Sequence, residues 1–418
     1  MLRKAITKAI AAGLLLTGLV TQEVNSQTTE HKDTTIYLGF FNRVPDNFDY
    51  PMIGLANIAD ENYNRFQIGF LNITKGMLNG AQVGISNLVF DDLEGVQIGT
   101  LNYAERTVSG AQFGAYNLIS GKLDGASFGV LNVCNDSING AQFGSINICI
   151  GSIEGAQFGG ANILAGDVNG VQFGAANILA GDVEGAQFGA VNMSAGDVDG
   201  AQFGAVNISG GDFDGLQLGS VNITGVKIDG AQIGVVNINR KLDGFQLGVF
   251  NYTDSLENGV SMGLVSIVRK GGYFAIDLAE VYTAKGYPGG LAIRLGARAL
   301  YTKYVLSYHE NNLLSFGLGF GSLIPVDDRI FFNPELVYHH TDYKESFRNS
   351  SRHTSLSTSL GVNLNRWFQV SAGPVISVSY RGSGNDAFLL SDIYTHKLDD
   401  NSNLNVGFKA SLTLVLSK

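Results

Sequence analysis

From Ile36 to Arg240 the chain divides into five-residue blocks without a break, and the centre of each block is apolar. The centres fall at 38, 43, 48 and onward to 238, and every one is aliphatic or aromatic except Arg43. An α-helix cannot hold such a column on one side, because 3.6 residues per turn smear it around the surface. A plain strand would need period two. A bend at each block boundary, with one apolar column per face, predicts a β-solenoid.

A second period of 15 residues overlies the first, so that three blocks make one unit, as in 201–215. Asn recurs at this interval from Asn42 to Asn237, and Gly recurs from Gly39 to Gly234 and again from Gly80 to Gly230. If residue n stacks on n+15, identical amides form ladders along neighbouring strands. This predicts three short faces per coil and about 15 coils, a rod on the order of 70 Å long at roughly 4.8 Å per coil. One residue is lost near Lys241, and the pattern resumes at Phe245-Gln246-Leu247-Gly248 with Asn251. A competing reading starts from the recurring Val-Asp-Gly-Ala and Ile-Asn-Gly-Ala segments, because Asp-Gly between apolar residues signals a hairpin. Each unit would then be one strand of an antiparallel sheet or large barrel, and the protein a channel or transporter whose repeats cross the membrane. The segments between these turns do not alternate cleanly, which favours the solenoid.

Beyond Lys270 the repeat stops and period two appears. Leu356, Thr358, Leu360 and Val362 alternate with Ser357, Ser359, Gly361 and Asn363, and 368–380 and 404–416 behave in the same way. Roughly eight such runs lie between 258 and 418, each long enough to cross an outer membrane as a tilted strand. Tyr273, Tyr287, Tyr343 and Trp367 lie near run ends, where an aromatic girdle is expected. Pro334 and Pro374 fall inside runs and suit an edge or a bulge. A soluble β-sandwich packed on the rod is the alternative. The expected fold is therefore all-β, an N-terminal β-solenoid of 15-residue repeats over 27–270 followed by an antiparallel β-barrel-like domain over 271–418.

The five-residue blocks, such as Ala-Gln-Phe-Gly and Val-Asn-Ile-Ser, resemble pentapeptide-repeat proteins, which wind four blocks per coil and would stack n on n+20. The whole 15-residue unit is similar to that of bacterial surface-repeat proteins, whose repeat reads G-x-Q-x-G-x-x-N, over about 36–270. That resemblance implies exposure on the cell envelope and supplies no reaction.

Composition narrows the class. Arg3, Lys4 and Lys8 precede an apolar run over 9–20, and Val24 and Ser26 offer small residues for cleavage before Gln27. These features predict a signal peptide over 1–26 and an exported protein of the outer membrane or cell surface of a Gram-negative bacterium. The run is too short to span a bilayer. Gly is abundant at 55 of 418 residues and charge is sparse at 15%, which suits tight, regularly repeated turns. A net charge of −10 excludes a nucleic-acid binder, which needs a basic stripe.

Candidate chemistry is thin. Asp167, Asp182, Asp197 and Asp212 form an acidic column, and no Lys or Arg lies between Gly151 and Gly215. Stacked carboxylates repel, and a calcium ion would relieve that. Without a calcium-loop motif, a solvated edge that keeps rods from aggregating is the expected reading. Gln142, Gln157, Gln172, Gln187, Gln202 and Gln217 would make a polar stripe for sugar recognition or, as expected here, a structural ladder. Cys134 and Cys149 occupy the same place in consecutive units, so one coil spacing would bring them within disulfide range. His339, His340 and Asp342 are close in sequence, but no second cluster offers further metal ligands. No nucleophile elbow or nucleotide loop is present. The expectation is a non-enzymatic protein without a cofactor or small-molecule substrate, offering an extended surface to a host, matrix or cell-surface ligand.

Overall fold

The computed structural model describes residues 36–45, 48–282, 289–308, 314–342, 350–380 and 393–417. They form an all-β protein, a β-solenoid of about 14 turns followed by a closed eight-stranded antiparallel barrel. The predicted signal peptide, Tyr287 and Tyr343 lie outside the described residues.

Every pairing within the rod is parallel. Val108 pairs with Leu123, Gly110 with Gly125 and Asn117 with Asn132, so n stacks on n+15. Parallel, in-register coils exclude the hairpin reading and the four-block winding. The lost residue is absorbed at a corner, because Ile223 pairs with Ile238 while Lys227 pairs with Lys241. Gly155 shows why one glycine column is needed. Its φ is +138°, a region that favours glycine, and a Cβ there would lie 2.1 Å from the Gly140 carbonyl oxygen.

The core differs from the apolar-column picture. Of the three columns of block centres, only the one running through Leu123, Ile138 and Ile153 points inward. A second inward apolar column contains Ile119, Cys134, Cys149 and Leu164, one residue past a block centre. The remaining interior is amide. The Asn column from Asn42 to Asn251 and the Gln column from Gln67 to Gln246 are buried. Phe113, Phe143, Phe173, Ile163 and Ile178 turn outward instead. The reason lies in the hydrogen bonds. Each inward Asn donates to its counterpart in the next coil and to a backbone carbonyl, as Asn147 does to Asn162 Oδ1 at 2.9 Å and to the Phe158 carbonyl at 3.0 Å. Buried polar groups are tolerated when satisfied in this way.

The barrel staves are β1 (Tyr273–Tyr282), β2 (Gly289–Gly296), β3 (Tyr301–Tyr308), β4 (Leu314–Gly321), β5 (Ile330–Asp342), β6 (Ser350–Asn363), β7 (Phe368–Tyr380) and β8 (Ser402–Ser417). Consecutive staves pair in order, and β1 pairs with β8 to close the barrel. Closure removes the sheet edges. The β1–β8 register shifts between Asp277 and Ala279, a bulge. Pro374 lies in β7, and the β6–β7 pairing is interrupted opposite it while resuming on either side. The rod meets the barrel where Thr302 of β3 donates to the Gly263 carbonyl.

Candidate functional site

The barrel is apolar outside and polar inside. Along β7, Val370, Ile376, Val378 and Tyr380 are exposed, whereas Gln369, Ser371, Ser377 and Ser379 are buried. Along β8, Phe408 and Leu416 face out, and Asn405, Lys409, Ser411 and Thr413 face in. A water-soluble barrel would place its apolar side chains in the opposite sense. The alternation seen in the sequence was therefore a real two-sided pattern, with the polar side as the interior.

Inside, six charged side chains from five staves meet. Arg294 on β2 holds Asp277 on β1 through contacts of 3.0 and 2.9 Å. Lys303 on β3 contacts Glu280 at 2.6 Å, Glu335 at 2.8 Å and Asp277 at 3.1 Å. Lys409 on β8 pairs with Glu280 and Glu335. Tyr301 donates to Glu335 at 2.6 Å, and Thr413 donates to Asp277 at 2.6 Å. Three carboxylates thus balance three cations, all buried. Pairing and hydrogen bonding offset the large cost of taking each ion out of water. The cluster sits in the barrel interior and ties together staves that are far apart in the sequence. None of these residues stood out in the sequence. The available signal was a charge at an inward position of a period-two run, such as Lys409 between Phe408 and Ala410.

Several residues singled out by sequence take other places. Tyr273 is buried inside the barrel and hydrogen-bonds Gln369 at 3.0 Å, so it is not part of a girdle. Exposed aromatic residues on the outer wall include Phe316, Tyr338, Tyr380 and Phe408, and Trp367 is exposed at the turn between β6 and β7. His339 points into the barrel and stacks on His353 with centroids 4.4 Å apart. His340, the next residue along β5, projects to the opposite face, so His339 and His340 do not converge on one ligand position.

In the rod, Gln142, Gln157, Gln172, Gln187, Gln202 and Gln217 are buried and form no external stripe. Gln157 donates to Gln142 at 2.9 Å and Gln202 to Gln187 at 2.8 Å. Asp167, Asp182, Asp197 and Asp212 lie along an exposed edge, where each carboxylate accepts the backbone N–H one coil onward. The Asp182, Asp197, Asp212 and Lys227 amides donate at 2.9, 2.7, 2.7 and 3.0 Å. The column therefore serves the turns as a ladder of acceptors. It borders an open acidic groove of about 410 Å³, whose walls also carry Glu154, Glu184 and Asp199. Among the described residues, no group of three His, Cys, Asp or Glu is arranged to hold a metal ion.

Cys134 and Cys149 are in register on adjacent coils, buried and present as free thiols. Both contact the Asp136 carbonyl, at 3.3 and 3.1 Å. The neighbouring Cys134 thiol, and then burial, push the Cys149 thiol far above its ordinary range.

No family model matches this chain, and neither a curated protein nor a solved structure matches it.

Proposed function

We propose that this is a non-enzymatic protein of a Gram-negative envelope, in which the barrel is an outer-membrane anchor and the solenoid an extended structural or binding rod. The observation that carries the reading is the inverted barrel, with an exposed apolar wall around a buried set of paired charges. Eight staves match the smallest membrane barrels, and an outward apolar band around a polar interior is the pattern that lipid requires. The G-x-Q-x-G-x-x-N repeat and the signal-like segment over 1–26 support the same compartment.

The topology bears on which side the rod occupies. At the rod end of the barrel, β1 begins, β8 ends, and the connections are 297–300, 322–329 and 364–367. The other joins between consecutive staves span 283–288, 309–313, 343–349 and 381–401 in the sequence, and of these 381–401 alone is longer than 322–329. Outer-membrane barrels keep short turns on the periplasmic side and longer loops outside. By the length of the 381–401 join, this reading puts the rod on the periplasmic side as a scaffold, and display toward a host needs the reverse orientation. The ion pairs that cross the interior argue against a wide open channel.

Protease accessibility of the repeat on intact and lysed cells tests this. Cleavage only after lysis, with the protein in the outer-membrane fraction, is the expected result. Cleavage on intact cells would reverse the orientation, and recovery in the soluble fraction without detergent would overturn the anchor.

A further inference from the structure

The rod is amphipathic in cross-section. One corner carries the outward Phe column, the Gly column beside it and a column of small and apolar residues from Ala115 to Val235, with the outward Ile163 and Ile178 on the next face, while the acidic edge lies elsewhere on the coil. The Phe rings from Phe113 to Phe203 stack with centroids 4.6 to 5.2 Å apart and planes within 6° of parallel, a continuous ridge. The flanking positions are small in mid-rod, as at Gly160, Ala175, Ala190 and Ala205, and carry larger half-exposed side chains toward either side, among them Val130 at 57%, Ile146 at 42% and Val235 at 52%. Near the barrel end the corner is notched by an open groove of about 500 Å³ lined by Leu218, Ile233, Val235 and Leu247 over Gly219 and Gly234.

We propose that this corner is an interface between two copies of the chain, packed rod against rod. Size is the first argument. Over roughly 70 Å of rod, at about 4.8 Å per coil, a strip some 15 Å wide offers on the order of 1,000 Å² per copy. A stable interface needs about 800 Å² per partner, and the largest apolar patch of a typical monomer is about 300–600 Å². Periodicity is the second. Side chains repeating at the coil spacing present ridges and grooves that a second copy matches along its whole length, so the patch is self-complementary, as a two-fold interface requires. Charge is the third. No Lys or Arg lies between Lys122 and Lys227, whereas a surface that lies on lipid carries cations beside its apolar face. Pairing through the apolar corner also leaves the acidic edges exposed rather than facing each other.

The test uses the full chain with single cysteines added to a background in which Cys134 and Cys149 are serine. Ser145 is exposed on the apolar corner and Glu184 on the acidic edge. Ser145→Cys is expected to cross-link into a species of twice the chain mass in cell envelopes, and Glu184→Cys to remain single. In purified protein, Phe173→Glu with Ile178→Glu, both at outward positions, is expected to weaken the dimer by at least about tenfold while the strand circular dichroism is retained. Equal cross-linking at both positions, a monomeric wild type, or labelling of Ser145→Cys by a lipid-soluble probe would each overturn the proposal. These readouts do not depend on which side of the membrane holds the rod.

Discussion

Gln112 and Gln142 stand two coils apart in the glutamine ladder with Ser127 between them, and Gln112 Oε1 and Gln142 Nε2 have no hydrogen-bond partner among the described residues. Elsewhere, from Gln82 onward, each Gln donates to the one before it, as Gln112 does to Gln97 at 2.7 Å. Ser127 is too short to continue the chain and instead donates to Asn132 at 2.9 Å. The two ladders run in opposite senses, since each Asn donates toward the C-terminal coil and each Gln toward the N-terminal coil.

Ser127→Gln restores the ladder and should stabilise the rod. Two buried groups regain partners, each worth about 1 kcal/mol net, offset in part by the side-chain entropy lost. Thermal unfolding should shift upward relative to wild type. A downward shift would show that the position cannot accept the longer side chain and that the break is a packing requirement.

Asn147→Leu should be more damaging than Ile148→Thr, although the first adds an apolar residue and the second removes one. Asn147 is fully buried and joins Asn132 to Asn162, so its loss strands partners at about 1–3 kcal/mol each. Ile148 faces outward and is only partly buried, so Thr should cost less than about 1 kcal/mol. Denaturant unfolding of the two variants gives the comparison, and the reverse order would contradict the amide core.

Asp197→Ala and Asp197→Asn separate a turn ladder from a cation site. Asp197 Oδ1 accepts the Asp212 amide, so Ala should destabilise by about 1 kcal/mol while Asn keeps the acceptor. If calcium held the column together, both substitutions would lower stability and a chelator would lower that of the wild type. Melting curves with and without chelator distinguish the two.

Asp60 gives the first coils a pH dependence. The hydrogen bond from Arg43 at 2.7 Å, joined by Lys75 at 2.6 Å, holds its carboxyl below the ordinary range against the opposing effect of burial. A lowered folded value means stabilisation that is present above the unfolded pKa, near 4, and is lost as pH falls through the folded value. Protection of the amides in 48–75, taken relative to the intrinsic exchange rate at each pH, should fall on acidification below about pH 4 in the wild type and change less in Asp60→Asn. Equal acid sensitivity in both would remove Asp60 as the cause.

Glu335→Gln should weaken the barrel strongly. The carboxylate contacts Arg294, Lys303 and Lys409, and removing one member of a buried ionic set costs about 3–5 kcal/mol. The expected readout is earlier loss of the compact, fast-migrating form on heating in detergent. If the ion pairs close the interior, wild-type protein in planar bilayers shows no steady conductance, and an open current would mean that they line a pore.

The 15-residue interval of Asn and Gly determined the rod, because parallel in-register stacking is the arrangement that places like amides against each other. The change to period two after Lys270 likewise determined where antiparallel strands take over. Which side of each strand faces inward was left open. An Asn and an Ile one residue apart present the same pattern whether the amide or the aliphatic group is buried, and the choice turned on the ladder from Asn42 to Asn251 closing its own hydrogen bonds. The same holds for the barrel. Asp277, Glu280, Arg294, Lys303, Glu335 and Lys409 are scattered along the sequence, and only closure of β1 against β8 brings their charges within ion-pair distance. Periodicity is a local property that a sequence displays directly, whereas mutual satisfaction of buried polar groups exists only once the distant strands have met.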